Sequence, residues 1–317
     1  MYRSQHPSNK IVAEVAWMYY VKNLNQGEIA DALSLSRPTV ISYLKLAKER
    51  NIVCIQVAPE HYRINAVADA LTEAYGLKSV HVVPDEGMQG EMLTRAVCEV
   101  AAHHLPNFLE QGDVLGVSWG QTVSFVSEYV PHWPMDNPTV RQLLGSIANP
   151  LLSTSESCTT EIARRLNGYC INFNAPAVCS SAALAAALKA EPIISEQLNN
   201  LRKCNKSIFS LSPCTPDTHV VQFKIATVED IDDYRARGAV GIIAGRFIDE
   251  NGSPVLGDLD ERIIGADHDL LRDMEGLLVV SGTFKLDATR AALRGGFVDH
   301  LVTDLKMAEL LLAAGRP

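Results

Sequence analysis

Two sets of residues in this 317-residue chain have types and spacing suited to holding negative charge. The first is Arg37, Thr39, Ser42 and Lys45 in "SRPTVISYLKLAKER". At helical spacing these residues share an outer face of cations and hydroxyl donors near a helix start. Such a face meets base edges and phosphates in the major groove of duplex DNA. Gln26 and Ser36, at the starts of two successive helices, complete this candidate set. The second set lies at three strand ends. In "LGVSWGQTV" an apolar strand runs to Val117, Ser118–Gly120 turns, and a helix starts at Gln121. Gly120 lets the backbone approach a ligand, the free N–H groups of a helix start suit a phosphate, and Ser118, Gln121 and Thr122 add side-chain donors. A tight strand-to-helix turn with no ligand accounts for the glycine equally well. In "LLGSIAN", Ser146 and Asn149 follow a strand. In "VVSGTFKLDATRAALRGG", Gly282 and Thr283 follow a strand and Lys285 sits near a helix start. A lysine there opposes the helix dipole unless an anion shares the site, or unless water solvates it.

Metal and disulfide chemistry are not expected. The seven cysteines are odd in number and none has C-x-x-C spacing, which fits free thiols in a reducing compartment. The nine histidines show no metal-binding spacing, and His103 and His104 point to different sides of a helix.

The elements that must carry the first set form a helix-turn-helix. Ile29, Ala30 and Leu33 give one helix an apolar stripe. Ser36 is a good N-cap, and Pro38 falls in the first turn, where a missing N–H costs little. Val40, Tyr43, Leu44 and Ala47 then face inward. An ordinary helical hairpin explains the stripes but not an exposed face of donors and cations. Ser34 stands in the turn at a position that often needs positive φ and where glycine is common. "KIVAEVAWMYYVKNL" reads as a preceding helix that packs Val12, Val15, Ala16 and Tyr19 behind the pair. "NIVCIQVAP" reads as a short strand, one side of a wing, ending at Pro59. The expected division is a DNA-binding domain over 1–58 and an effector and oligomerisation domain over 59–317.

Beyond residue 60 the pattern alternates. "AVADALTEAYGL", "EMLTRAVCEVAAHHLPNFL", "QTVSFVSEYV", "DATRAALRGG" and "LKMAELLLAAG" read as helices. "SVHVVP", "DVLGVS", "TVRQLLGS", "HVVQFK", "GLLVVSG" and "DHLVTD" read as strands, and "KCNKSIFSLSPCTPDTH" as loop. Alternation of this length implies βαβ units, hence a doubly wound, mostly parallel α/β domain. Ligands of such sheets bind beyond the carboxyl ends of the strands.

Composition agrees with two modules. Residues 1–58 carry seven Lys/Arg against four Asp/Glu, whereas the remaining 21 basic residues face 33 acidic ones. A basic module on an acidic body suits a polyanion partner for one part only. No apolar run approaches the roughly 20 residues needed to span a bilayer, and no apolar segment follows the N-terminus, so a cytoplasmic protein without membrane contact is expected.

At these residues the sequence resembles the SorC family of sugar-binding transcriptional regulators. The likeness runs from the helix-turn-helix through "GVSWGQTV", "LLGSIAN", "GAVGIIAGRFIDENG" and "SGTFKLDATRAALRGGFVDHLVTD" to the last helix. The resemblance implies an effector domain similar to sugar-phosphate isomerases, a phosphorylated sugar or related metabolite as effector, no cofactor, and a homotetramer on double-stranded operator DNA. It implies effector contacts from Ser118, Trp119, Gly120, Gln121 and Thr122, from Ser146, Ile147 and Asn149, from Arg246 and Asp249, and from Lys285. The chain departs from the family at Gln121, where arginine or threonine is more common, at "SGTFK" in place of A-G-G-x-x-K, and at "IFSLSPC" in place of a G-I-G turn. A sugar-phosphate isomerase or deaminase is the alternative. It would need a general base, for which Asp249, Asp85 and Glu86 are available, or a Schiff-base lysine, for which Lys285 is available.

Overall fold

Asn25 starts the second helix of the chain with a reciprocal cap. Its side chain accepts from Gly27 N (2.9 Å) and Glu28 N (3.1 Å), while Glu28 Oε2 accepts from Asn25 N (2.7 Å). These three bonds satisfy free helix-start donors from both directions. The computed structural model describes residues 7–50, 52–53, 59–147 and 154–315. It divides into two compact units, Met1–Tyr62 and Arg63–Pro317. In the first, helices Asn9–Tyr20, Gln26–Leu33 and Arg37–Glu49 follow one another. Val12, Val15, Ala16, Ile29, Ala30, Val40, Leu44 and Ala47 are buried among them. Of the wing strand expected at "NIVCIQVAP", residues 51 and 54–58 fall outside the described residues, and Pro59, its expected end, starts helix Pro59–Tyr75 instead.

The third helix starts as its sequence dictates: Ser36 Oγ accepts from Thr39 N at 3.2 Å, and Pro38 occupies the first turn. Between the two helices Ser34 adopts φ 51°, ψ 43°. The chain needs a left-handed residue there to reverse direction, and a serine supplies it at a cost that glycine avoids.

Among the described residues the second unit is built on ten strands: Ser79–Val83 (β1), Val114–Val117 (β2), Thr139–Gln142 (β3), Tyr169–Ile171 (β4), Lys206–Phe209 (β5), Leu211–Pro213 (β6), Gly241–Ile243 (β7), Arg246–Ile248 (β8), Glu275–Val280 (β9) and His300–Asp304 (β10). Seven form one sheet in the order β1-β10-β9-β5-β2-β3-β4, every pair parallel. The other three form a small antiparallel sheet, β6-β7-β8. Side chains alternate between two cores. Leu278 and Val280 of β9 face one core, with helices Leu286–Arg294 and Leu305–Ala313. Leu277 and Val279 face the other, with helices Gly90–Phe108, Gln121–Tyr129 and Ser155–Leu166. Cover on both faces is why these strands are continuous apolar runs. Truncating one such side chain, Leu278→Ala for instance, costs about 2–5 kcal/mol.

Two sequence expectations are corrected here. "KCNKSIFSLSPCTPDTH" contains the central strand β5 and the edge strand β6. "HVVQFK" is the short helix His219–Gln222 rather than a strand, because Val220 and Phe223 both turn into the core around Trp119.

Candidate functional site

The carboxyl ends of β1, β2, β9 and β10, together with the segment through β6, open onto one cavity of about 690 Å³. Its wall comes from Asp85, Gly87–Glu91, Leu93 and Thr94, from Gln121 and Thr122, from Ser212, Pro213, Thr215 and Asp217–His219, and from Ser281–Lys285, Asp304 and Lys306. A smaller hollow of about 40 Å³ adjoins it, lined by Ser118, Trp119 and Gly120 with Ser210, Ile242 and Gly245. Gln121, Thr122, Ser212, His219 and Lys285 line both. This is where an open parallel sheet places its ligands.

The backbone makes this region favourable for an anion. Gly120 has φ 111° and ψ 169°, a conformation open to glycine, and no side chain caps the helix it starts. The helix Gly90–Phe108 likewise begins at the cavity without a side-chain cap. Uncapped first-turn N–H groups and the helix dipole together attract negative charge. Thr94 Oγ1 and Ser281 Oγ, 2.8 Å apart, tie the second of these helices to the end of β9.

Charge in the wall is unevenly committed. Asp304 is fully occupied, accepting from Gly282 N and Met307 N at 2.9 Å each. Glu91 pairs with Arg95 at 2.8 Å. Lys285 has no carboxylate partner among the described residues. Burial pushes its pKa down to about 8, opposed by Cys98. His219 is held below its ordinary value, first by burial and then by the Lys285 charge. A half-buried, unpaired ammonium beside uncapped helix starts is electrostatically incomplete, and an anion would complete it.

Of the residues singled out in the sequence, Ser118, Trp119, Gly120, Gln121, Thr122 and Lys285 line the two hollows. Trp119 is packed edge-on against Phe223, centroids 5.0 Å apart. Ser146 does not line them: its Oγ donates to Phe173 O at 3.1 Å and its backbone bridges to Pro176. Ile147 is buried in the apolar cluster around Trp119. Asn149 lies outside the described residues. Arg246 is buried in an ion pair with Asp260 (3.1 Å) and donates from Nε to Ala266 O (3.0 Å), away from both hollows. Asp249 spends one carboxylate oxygen on its own turn, accepting from Asn251 N (2.9 Å) and Ser253 N (2.8 Å). Sequence reasoning missed Ser212, Thr215, Thr218 and His219. The signal available was a hydroxyl-rich run, "SLSPCTPDTH", directly after the short apolar "SIF".

In the first unit Arg37, Ser42 and Lys45 are exposed along one side of helix Arg37–Glu49, and Thr39 is partly covered. Arg37 Nε donates to Gln26 Oε1 at 3.4 Å, bringing the two helix starts together. Lys45 is only loosely engaged, 3.8 Å from Glu49 on an exposed surface. Ile41, 48% exposed beside Ser42, adds an apolar side chain to this face.

Residues 61–313 match the sugar-binding domain family, Sugar-bind. YjhU, an uncharacterized transcriptional regulator of Escherichia coli K12, is 34% identical over 313 residues, covering 96% of this chain and 95% of its own. The deoxyribonucleoside regulator of Bacillus subtilis is 26% identical over 302 residues, covering 94% and 96%. The sorbitol operon regulator of Klebsiella pneumoniae is 25% identical over 308 residues, covering 96% and 98%. The crystal structure of full-length SorC from Klebsiella pneumoniae has the same fold, with a TM-score of 0.74 at 24% identity over 97% of this chain and 100% of that one. The chain is a transcriptional regulator and belongs to the SorC family of sugar-binding regulators.

Proposed function

We propose that residues 1–58 bind double-stranded operator DNA and that residues 59–317 bind a phosphorylated sugar, or a closely related sugar-derived anion, which controls that binding. The observation that carries the effector reading is Lys285. It is an unpaired, partly buried cation lining both hollows, which the uncapped helix start at Gln121 lines as well. The effector contacts are Ser118, Gly120, Gln121, Thr122 and Lys285, joined by Ser212, Thr218 and His219. The DNA contacts are Gln26, Ser36, Arg37, Thr39, Ser42 and Lys45.

The chain acts as a regulator rather than as an isomerase. Of the three carboxylates available as a general base, Asp249 is committed to its own turn, Glu86 does not line the cavity, and Asp85 alone reaches its wall. One helix-turn-helix covers few base pairs, and paired half-sites lie about 34–36 Å apart or at multiples of that distance, so the working form is a symmetric oligomer, a tetramer by family likeness. The effector alters DNA affinity only through a preference for one of two forms of that oligomer. No helix among the described residues is long and apolar enough to cross a membrane.

The test is a panel of pentose and hexose phosphates added to the protein on DNA from the promoter region next to its own gene. A change in DNA affinity with one phosphate, without consumption of that phosphate, supports the reading. Turnover of the sugar phosphate supports the enzyme instead.

A further inference from the structure

Phe284 is 71% exposed, the most exposed of the large apolar side chains in the described residues, and it stands in the cavity wall next to Lys285. Its position is built rather than accidental. Gly282 has φ 90°, and its N–H donates to Asp304 Oδ2 at 2.9 Å. The 3₁₀ turn Thr283–Lys285 then closes through Lys285 N to Gly282 O at 3.1 Å. The ring lies across Gly282: a Cβ there would come within 2.6 Å of Phe284 Cε1. The absent side chain at 282 is what leaves room for the ring. Lys285 Nζ sits 5.6 Å from the ring centroid. The polar residues Asp85, Gln89 and Asp217 line the same cavity.

We propose that Phe284 is the stacking platform for a cyclic sugar whose phosphate is held at Lys285. This rests on the effector reading above and narrows it to ring-form sugar phosphates. A pyranose or furanose carries a face of C–H groups with partial positive charge, which suits the negative face of an aromatic ring. Its hydroxyls suit carboxylate and amide side chains, which accept and donate hydrogen bonds in the plane of the sugar. An acyclic polyol phosphate has the anion but no such face. Phe284 is therefore a specificity residue: it selects ring forms and leaves the anion to Lys285 and the helix starts.

The test uses the full chain and four probes: glucose 6-phosphate, ribose 5-phosphate, glycerol 3-phosphate and inorganic phosphate. Wild type binds at least one of the two cyclic probes more tightly than glycerol 3-phosphate. F284A and F284L, both at an exposed position and so expected to fold, weaken that cyclic probe by about tenfold, the scale of one aromatic contact. The same variants leave glycerol 3-phosphate and inorganic phosphate within about twofold. The C–H proton resonances of the bound sugar move upfield in wild type and not in F284L. Equal weakening of all probes, an unchanged cyclic probe, or no upfield shift overturns the inference while leaving the effector reading intact. If wild type binds neither cyclic probe, the pair that binds most tightly in the full panel of pentose and hexose phosphates replaces them, and an absence of binding across that panel overturns the effector reading itself.

Discussion

Lys285 and His219 line the same two hollows from distant parts of the chain, and the Lys285 charge adds to burial in keeping His219 neutral. Both groups bind protons less readily than they would in water, so an anion that enters beside them draws protons in. Burial holds the pKa of Lys285 down to about 8. A bound phosphate raises it. Binding is then fully favoured below the lower, unliganded pKa and weakens as pH rises from about 8 toward the liganded pKa. The phosphate itself is already dianionic above about pH 6, so it does not distort this window. We expect affinity for a sugar phosphate to fall steadily between pH 8 and pH 10, with proton uptake visible as buffer-dependent heat. Lys285→Arg, charged throughout, should bind with a flat profile over that range. An equal fall in both proteins would assign the titration to another group.

Arg246 belongs to the structural framework. Asp260 holds it on one side and Ala266 O on another, and Asp260 also accepts from Tyr234 Oη and Gly257 N. Arg246→Ala leaves a buried carboxylate without its counter-charge and should cost about 3–5 kcal/mol of stability in denaturant titration. Asp249→Ala removes one turn-capping carboxylate and should cost about 1 kcal/mol while leaving sugar-phosphate affinity unchanged. A large loss of effector affinity in Asp249→Ala with little loss of stability would restore Asp249 to the site.

Ser34 is the strained residue of the helix-turn-helix, at φ 51°. A non-glycine residue there pays about 1–2 kcal/mol, part of which glycine returns as unfolded-chain entropy. Ser34→Gly should therefore stabilise the first unit by about 0.5–1 kcal/mol, read as a higher midpoint of thermal unfolding. A lower midpoint would mean that the serine side chain contributes something the turn geometry does not show.

Arg37 and Lys45 should carry phosphate or base contacts. Arg37→Ala and Lys45→Ala are expected to weaken operator binding, and each lost phosphate contact should reduce the slope of log affinity against log salt by about one. Wild-type affinity and slope in both variants would move the recognition face elsewhere on the unit.

Much of the architecture was legible in the sequence, for identifiable reasons. The apolar runs of β2, β9 and β10 stand out because both sheet faces are covered, and the N-cap at Ser36 with Pro38 behind it announces its helix. The lining of the candidate site was legible where it depends on local backbone, as at Gly120 and at Lys285 after a strand. It was not legible where a partner is distant. Arg246 looks like a free cation until Asp260 is brought beside it by folding. Ser146 looks like a ligand donor until Phe173 O takes its hydroxyl. "HVVQFK" has the β-branched residues of a strand, yet packing around Trp119 makes it helical, and that turn is what carries His219 to the cavity.

The cavity at Lys285 is proposed to hold the phosphate of the effector. Calorimetric titration of a sugar-phosphate panel into wild type, Lys285→Met and Thr122→Val tests it most directly, with unfolding midpoints as the folding control. We expect one sugar phosphate to bind wild type, to lose at least about tenfold in affinity in Lys285→Met and several-fold in Thr122→Val, and its unphosphorylated sugar to bind far more weakly. Equal affinity in all three proteins, or tighter binding of the unphosphorylated sugar, would contradict it.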